Sequence, residues 1–342
     1  MSRTRFLFAI AAVAALAVTS IVLTACGGGG GKSGESPETV LEEATLQGIE
    51  SGDIDLSLGV EAQGRKGGNL DVSLSGPFQG EGKGSLPQVD MNARAKGDFN
   101  GRSVDFEGGL VLLPNTAFVN YEGTEYEVDP TTFSFVESAL AQAQRENGAE
   151  TGADGVAACQ EEFGGLKVAD FLENGKNEGS ADVGGTSTTK ISGTLDTGAA
   201  IDSVLEVVES QACRAQLAAA GPLPSKSEVD RAKAEVTGSL KSAHVDVYVG
   251  DDDIVRRISA RLQIEPQNGG GGPKSVEIEF DLKLTGVNEE QTISAPANAK
   301  PLSRLFIKLG VNPIELLGLL QGEEGGESLG ELLEGLAESQ AR

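Results

Sequence analysis

The 342-residue sequence has no tryptophan, one histidine, three cysteines and only 4% aromatic residues. So few imidazoles and thiols leave little material for a metal site or for nucleophilic catalysis. His244, the single histidine, falls on the polar phase of its segment, which reads as a solvated surface position rather than a base or a ligand. Basic residues are also scarce: 27 Lys and Arg stand against 52 Asp and Glu, a formal net charge of −25. That balance excludes nucleic acid as a partner and an electrostatic hold on anionic headgroups. Acidic residues are too many for any one carboxylate pair to stand out, so the sequence supports no enzyme, and no cofactor or metal is expected.

One long apolar run is present, from Phe6 to Val22, behind Arg3 and Arg5. It ends in Leu23-Thr24-Ala25-Cys26, followed at once by Gly27–Gly31. Basic n-region, apolar h-region and small residues before a cleavage point are the parts of an export signal. The tetrapeptide resembles the bacterial lipobox. That resemblance implies that residues 1–25 are removed, that Cys26 is diacylated as the lipid anchor, and that the rest lies on the extracytoplasmic face of the cell membrane. Removing 1–25 leaves 317 residues with a formal charge of −27. Residues 26–37 read as a Gly-rich tether. In an oxidising compartment Cys159 and Cys213 are expected to form a disulfide.

Downstream, period-two alternation dominates, the mark of antiparallel strands with one apolar and one wet face. Ile54, Leu56, Leu58, Val60 and Ala62 alternate with polar residues; so do Leu70 to Leu74, Val89 to Ala95, and Val104 with Phe106. A hairpin is expected across Glu122-Gly123-Thr124. The meander resumes with Thr188–Leu195, Val245–Val249, Ile258–Ile264 and Val276–Leu284. Helices are expected over Glu38–Glu50, capped by Ser36 and Pro37, over Phe133–Gln144, over Ala199–Ala219, and from Ser225 to about Ala234. Asn174–Gly185 reads as a Gly- and Asn-rich turn region, and Asp251-Asp252-Asp253 as a solvated turn.

These patterns predict an α+β fold over residues 38–310: a curled antiparallel half-barrel of about ten to eleven strands with helices packed on its concave face. Residues 311–342 are expected to form an acidic helical tail whose Leu329/Leu332/Leu333/Leu336 stripe would dock as a lid or stay a loosely ordered solubilising tail. An apolar cavity between sheet and helices would be lined by Leu58, Val72, Met91, Phe106, Val204 and Phe280; a solid core needs the same residues.

The lipobox, the helix-then-meander opening, Tyr121 with Tyr126-Glu-Val-Asp-Pro130, the run Val-Asp-Val-Tyr-Val-Gly-Asp-Asp-Asp-Ile-Val-Arg-Arg from Val245 to Arg257, and Val287-Asn288 through Pro296 resemble the LppX/LprG-type actinobacterial lipoproteins, which share the LolA/LolB-like fold. The resemblance covers about residues 38–300. It implies a half-barrel whose apolar cavity binds an acylated lipid or glycolipid and carries or presents it. The alternative is an envelope sensor that binds a protein partner and no stable lipid.

Overall fold

A computed structural model describes residues 34–64, 67–80, 87–99, 102–134, 162, 165, 167–210, 213, 226–266 and 272–310. The expected helix at Phe133–Gln144, the signal and anchor segment, Cys159 and the tail 311–342 lie wholly or largely outside these residues.

The first element is a short helix, α1 (Pro37–Glu43). Ser36 caps it by accepting a hydrogen bond from the Thr39 amide at 3.2 Å, and Pro37 takes the first turn, where a missing N–H costs nothing. The helix ends seven residues before the expected Glu50. The reason is tertiary: the Thr45 amide donates to the Asp253 carbonyl and the Val255 amide to the Thr45 carbonyl, both at 2.9 Å. That bridge captures backbone groups the helix would have used.

The meander follows as β1 (Ser51–Gly64), β2 (Gly68–Gln79), β3 (Gln88–Phe99), β4 (Arg102–Leu113), β5 (Thr116–Tyr121) and β6 (Thr124–Val128). The β5–β6 hairpin turns at Glu122 (φ 50°) and Gly123 (φ 70°), the two left-handed positions a tight primed turn requires. After a 3-10 turn at Val168–Asp170 come β7 (Leu172–Val183) and β8 (Thr186–Leu195), then α2 (Thr197–Glu209) and α3 (Lys226–Ser239). Asp196 caps α2 by accepting from the Ala199 amide at 2.9 Å. The sheet then continues through β9 (Leu240–Gly250), β10 (Val255–Ile264) and β11 (Pro273–Thr285). A two-residue strand, β12 (Lys300–Pro301), and α4 (Ser303–Leu309) complete the described chain.

All twelve strands form one open sheet in the order β12-β6-β5-β4-β3-β2-β1-β11-β10-β9-β8-β7. Every neighbouring pair is antiparallel except the β12–β6 contact. The two runs of the meander meet where β1 pairs β11, with Leu58 opposite Phe280. The sheet's twelve strands exceed the expected ten to eleven, and two of them were not expected. One is β12. The other is β7, a correction to the reading of Asn174–Gly185 as a turn region. Its residues are mostly small and polar, so no apolar alternation announced it. Among the described residues it pairs only β8, and its ladder is irregular at Glu173/Lys176 and Asn177/Gly179. The glycine signal there belongs to Gly184-Gly185, both with positive φ, which turn the chain from β7 into β8.

The core sits on the apolar face. Val40 and Leu41 of α1 pack with Val168, Ile191, Val245, Val247, Val249 and Val255, all buried. A second cluster joins Ile49, Ile54, Phe78, Ile254 and Leu284. Each fully buried aliphatic side chain contributes roughly 1.5–3 kcal/mol relative to exposure. Along β1 the cover thins: Ile54 and Leu56 are buried, Leu58 and Val60 only half-buried.

Candidate apolar binding face

Strand register brings four of the six expected lining residues into one line. Phe106 on β4 lies opposite Ala95 on β3, Ala95 opposite Val72 on β2, and Val72 opposite Leu58 on β1. Leu58 lies opposite Phe280 on β11, Phe280 opposite Ala260 on β10, and Ala260 opposite Val245 on β9. Since side chains alternate along each strand, all seven share one face. Met91 is four residues before Ala95 on β3, hence on the same face, and lies opposite Leu110. Val204 stands apart, half-buried on α2, whose Asp202 pairs with Lys233 of α3.

Burial along this line is graded. Val245 is 2% exposed, under α1. Phe280, Leu58, Val72 and Met91 are half-buried. Phe106 is 40% and Leu110 43% exposed. Apolar side chains are thus laid out across seven strands, and among the described residues α1 covers the β9 end. Sequence reasoning named the residues, but not that Ala95 and Ala260, both small, sit between the larger ones and lower the floor there.

The opposite face is charged and tightly paired. Arg257 donates to Asp281 from Nε, shared between Oδ2 at 2.9 Å and Oδ1 at 3.2 Å, and from Nη2 to Oδ2 at 2.6 Å. This bonding to Asp281 raises the Arg257 pKa further above its ordinary value. The Arg257 guanidinium and the Lys190 ammonium both lie over the Tyr248 ring, 5.4 and 5.6 Å from its centre. Asp246 accepts from Ser192 Oγ at 2.5 Å and pairs with Lys190 Nζ at 3.0 Å. Burial pushes its carboxyl up, but those hydrogen bonds and the Lys190 charge outweigh burial and hold its pKa below the usual carboxylate value. His244 lies on this face as expected, its side chain 60% exposed and Nε2 3.2 Å from Asp246.

The acidic turn is more than a solvated loop. Asp252 pairs at 2.7 Å with Arg256, whose side chain is 7% exposed and also donates to the Ile254 carbonyl. A guanidinium this deep needs such a partner, and the sequence singled out neither residue for the role. Among the described residues, no cluster of three or more His, Cys, Asp or Glu is arranged to hold a metal ion, and no helix is long and apolar enough to cross a membrane. Cys213 is completely buried.

A concavity of about 540 Å³ opens on the charged face, over β1 to β3 and β9 to β11.

No family model matches the chain, and no curated protein matches it by sequence. Among solved structures the chain is similar to LprF from Mycobacterium bovis, at 14% identity and a TM-score of 0.36, over 77% of this chain and 97% of that one. It is also similar to the lipoprotein LppX of Mycobacterium tuberculosis, at 11% identity and a TM-score of 0.31, over 75% and 98% respectively. The second belongs to the family that the sequence motifs resemble. At these scores neither likeness carries a fold or a function over to this chain.

Proposed function

We propose that this protein is a lipoprotein of the cell envelope, anchored through Cys26 to the extracytoplasmic face of the membrane. Its domain, residues 38–310, binds an acylated lipid or glycolipid against the apolar face and carries or presents it. The observation that carries this reading is the line Phe106–Ala95–Val72–Leu58–Phe280, apolar throughout and half-buried, ending at an exposed Phe106 with the exposed Leu110 further along the same strand. Acyl chains suit such a surface, because each methylene removed from water contributes about 0.8 kcal/mol. Curvature of the sheet into a half-barrel, with helices on its concave side, would turn that surface into a cavity. A disulfide between Cys159 and Cys213 belongs to the same proposal, supported by the complete burial of Cys213.

Native mass spectrometry of the soluble chain from Gly34 onward, produced in its own host, tests the reading. A bound mass that resolves into an acyl-containing lipid is the expected result. An empty protein, recovered repeatedly together with a specific crosslinked protein partner, would replace lipid carriage by an envelope sensor.

A further inference from the structure

The concavity on the charged face has a clear origin in the register. One line of facing residues runs Arg94, Ser73, Ser57, Asp281, Ser259, Asp246. The next runs Lys96, Asp71, Gly59, Glu279, Arg261, His244. On both lines the β1 position is small, Ser57 or Gly59, and β2 and β10 add Ser73 and Ser259. Long side chains stand to either side, on β3 and on β9 to β11. The floor is low and hydroxyl-bearing; the walls are tall and charged. Leu58, Val72, Ala260 and Phe280 also border the space. Alternation turns their side chains to the other face, so they add main chain already bonded within the sheet.

The charges point to the kind of ligand. The walls hold the cations Arg94, Lys96, Arg257 and Arg261 and the acids Asp71, Asp246, Glu279 and Asp281. On a chain of formal charge −25 this patch is balanced. Four of these eight groups are fixed by one another: Arg257 by Asp281, and Arg261 by Glu279 at 2.6 Å. Arg94 pairs with Glu107 and Asp246 with Lys190. Such a surface presents oriented donors and acceptors at set spacings and little net field. Lys96, opposite Asp71 on the ladder, is in no ion pair among the described residues, but an inorganic anion seeking a guanidinium as well would have to break a carboxylate–guanidinium pair. An apolar ligand meets no apolar side chain. A peptide strand finds no open backbone, because every strand under the concavity is paired on both sides. A hydroxyl both donates and accepts, and can join a paired guanidinium and carboxylate without separating them. The volume lies within the range of about 300–1,000 Å³ that holds a small ligand.

We infer that this concavity is a binding site for a neutral saccharide, on the face of the sheet opposite the apolar line. The inference does not depend on lipid binding.

Gly59 provides the test. A Cβ built there meets only Asp71 Oδ1 at 3.6 Å and Glu279 Cβ at 3.9 Å, ordinary contacts, so a larger side chain has room to stand in the floor. Saturation-transfer NMR on the full chain, with mannotriose, maltotriose and lactose as probes at millimolar concentration, reads binding directly. Transfer to the ring protons of at least one probe is expected. It should survive excess inorganic phosphate and fall to background in Gly59→Leu; Ser73→Phe serves as a second filling variant should the first not fold. Lipid recovered with Gly59→Leu should equal that of the unsubstituted chain, which keeps this site separate from the apolar face. Absence of transfer with all three probes, transfer unchanged in the filled variants, or its loss on adding phosphate would each overturn the proposal.

Discussion

Asn288 and Glu50, 238 positions apart, are joined by a hydrogen bond of 2.7 Å in which the Asn288 side-chain oxygen accepts from the Glu50 amide. The Asn288 side-chain amide donates in turn to the Gly48 carbonyl at 2.9 Å. Asn288 itself is left-handed, φ 61°, a conformation asparagine tolerates better than most residues. One side chain therefore closes the turn after β11 onto the segment that enters β1. Asn288→Ala removes both bonds and adds backbone strain, and should cost about 1–3 kcal/mol. Urea denaturation would show it as a lower midpoint at unchanged slope; an unchanged midpoint would mean that water replaces the side chain at no loss.

Leu284 and Leu58 lie on neighbouring strands and the same face, yet differ in burial: Leu284 is 1% exposed and Leu58 half-buried. Leu284→Ala should lose about 2–5 kcal/mol, the range for emptying a packed site. Leu58→Ala should lose clearly less stability but reduce the lipid recovered with the protein. If both variants lost stability equally and lipid recovery were unaffected, the half-buried line would be ordinary core.

Asp246 carries a definite sign of pH dependence. Its carboxyl pKa is lowered in the fold, through Ser192 and Lys190 and against burial. Its contribution to stability is complete above the ordinary carboxylate value of about 3.9 and is lost as pH falls below that value toward the lower folded one. Asp53 and Asp90 are raised, each first by burial, and give the opposite slope, their protonation easing the fold at acid pH. Asp246→Asn should flatten the acid limb of the stability curve while Asp53→Asn steepens it. Thermal midpoints from neutral to acid pH would distinguish the two, and parallel curves would argue against both assignments.

The predicted anchor is tested by Cys26→Ser. The substituted protein should move from the membrane fraction to the soluble or secreted one, and metabolic labelling with a fatty acid should be lost. Retention with the membrane and continued labelling would assign the acyl group elsewhere.

Cys159 and Cys213 should appear as one linked pair in non-reducing peptide mass mapping. Closing a loop of their spacing stabilises a chain by about 4 kcal/mol in the chain-entropy picture. Reduction should therefore lower the denaturation midpoint markedly, and two separately alkylated peptides without prior reduction would refute the bridge.

Much of the sheet was legible in residue alternation. β11 is the clearest case, since Val276 to Leu284 alternate with charged residues without a break. β7 was hidden because its alternation is between glycine, serine, asparagine and charge, which bury little whichever face they take. The early end of α1 was hidden for another reason: the partner of Thr45 is Ile254, more than two hundred positions away. The apolar line lies between these cases. Each of its residues was visible as the inward phase of a strand. That Phe106 and Phe280 stand in one row depends on the β1–β11 pairing, a contact between the two ends of the domain that no local pattern encodes. The saccharide concavity is further from view, because small residues on β1, β2 and β10 matter only once they are known to be neighbours.

The sheet's two margins bear on the proposed anchoring at a membrane. A lipid tether confines copies of a protein to two dimensions, where exposed strand edges meet often and paired edges propagate. One margin here is β7, its ladder broken twice and Gly179 at φ 89° within it. The other is β12, two residues long and including Pro301, which has no amide to donate. Neither offers a straight row of free backbone groups to a second copy. A wide open sheet can thus be crowded on a surface and still end at its own boundaries.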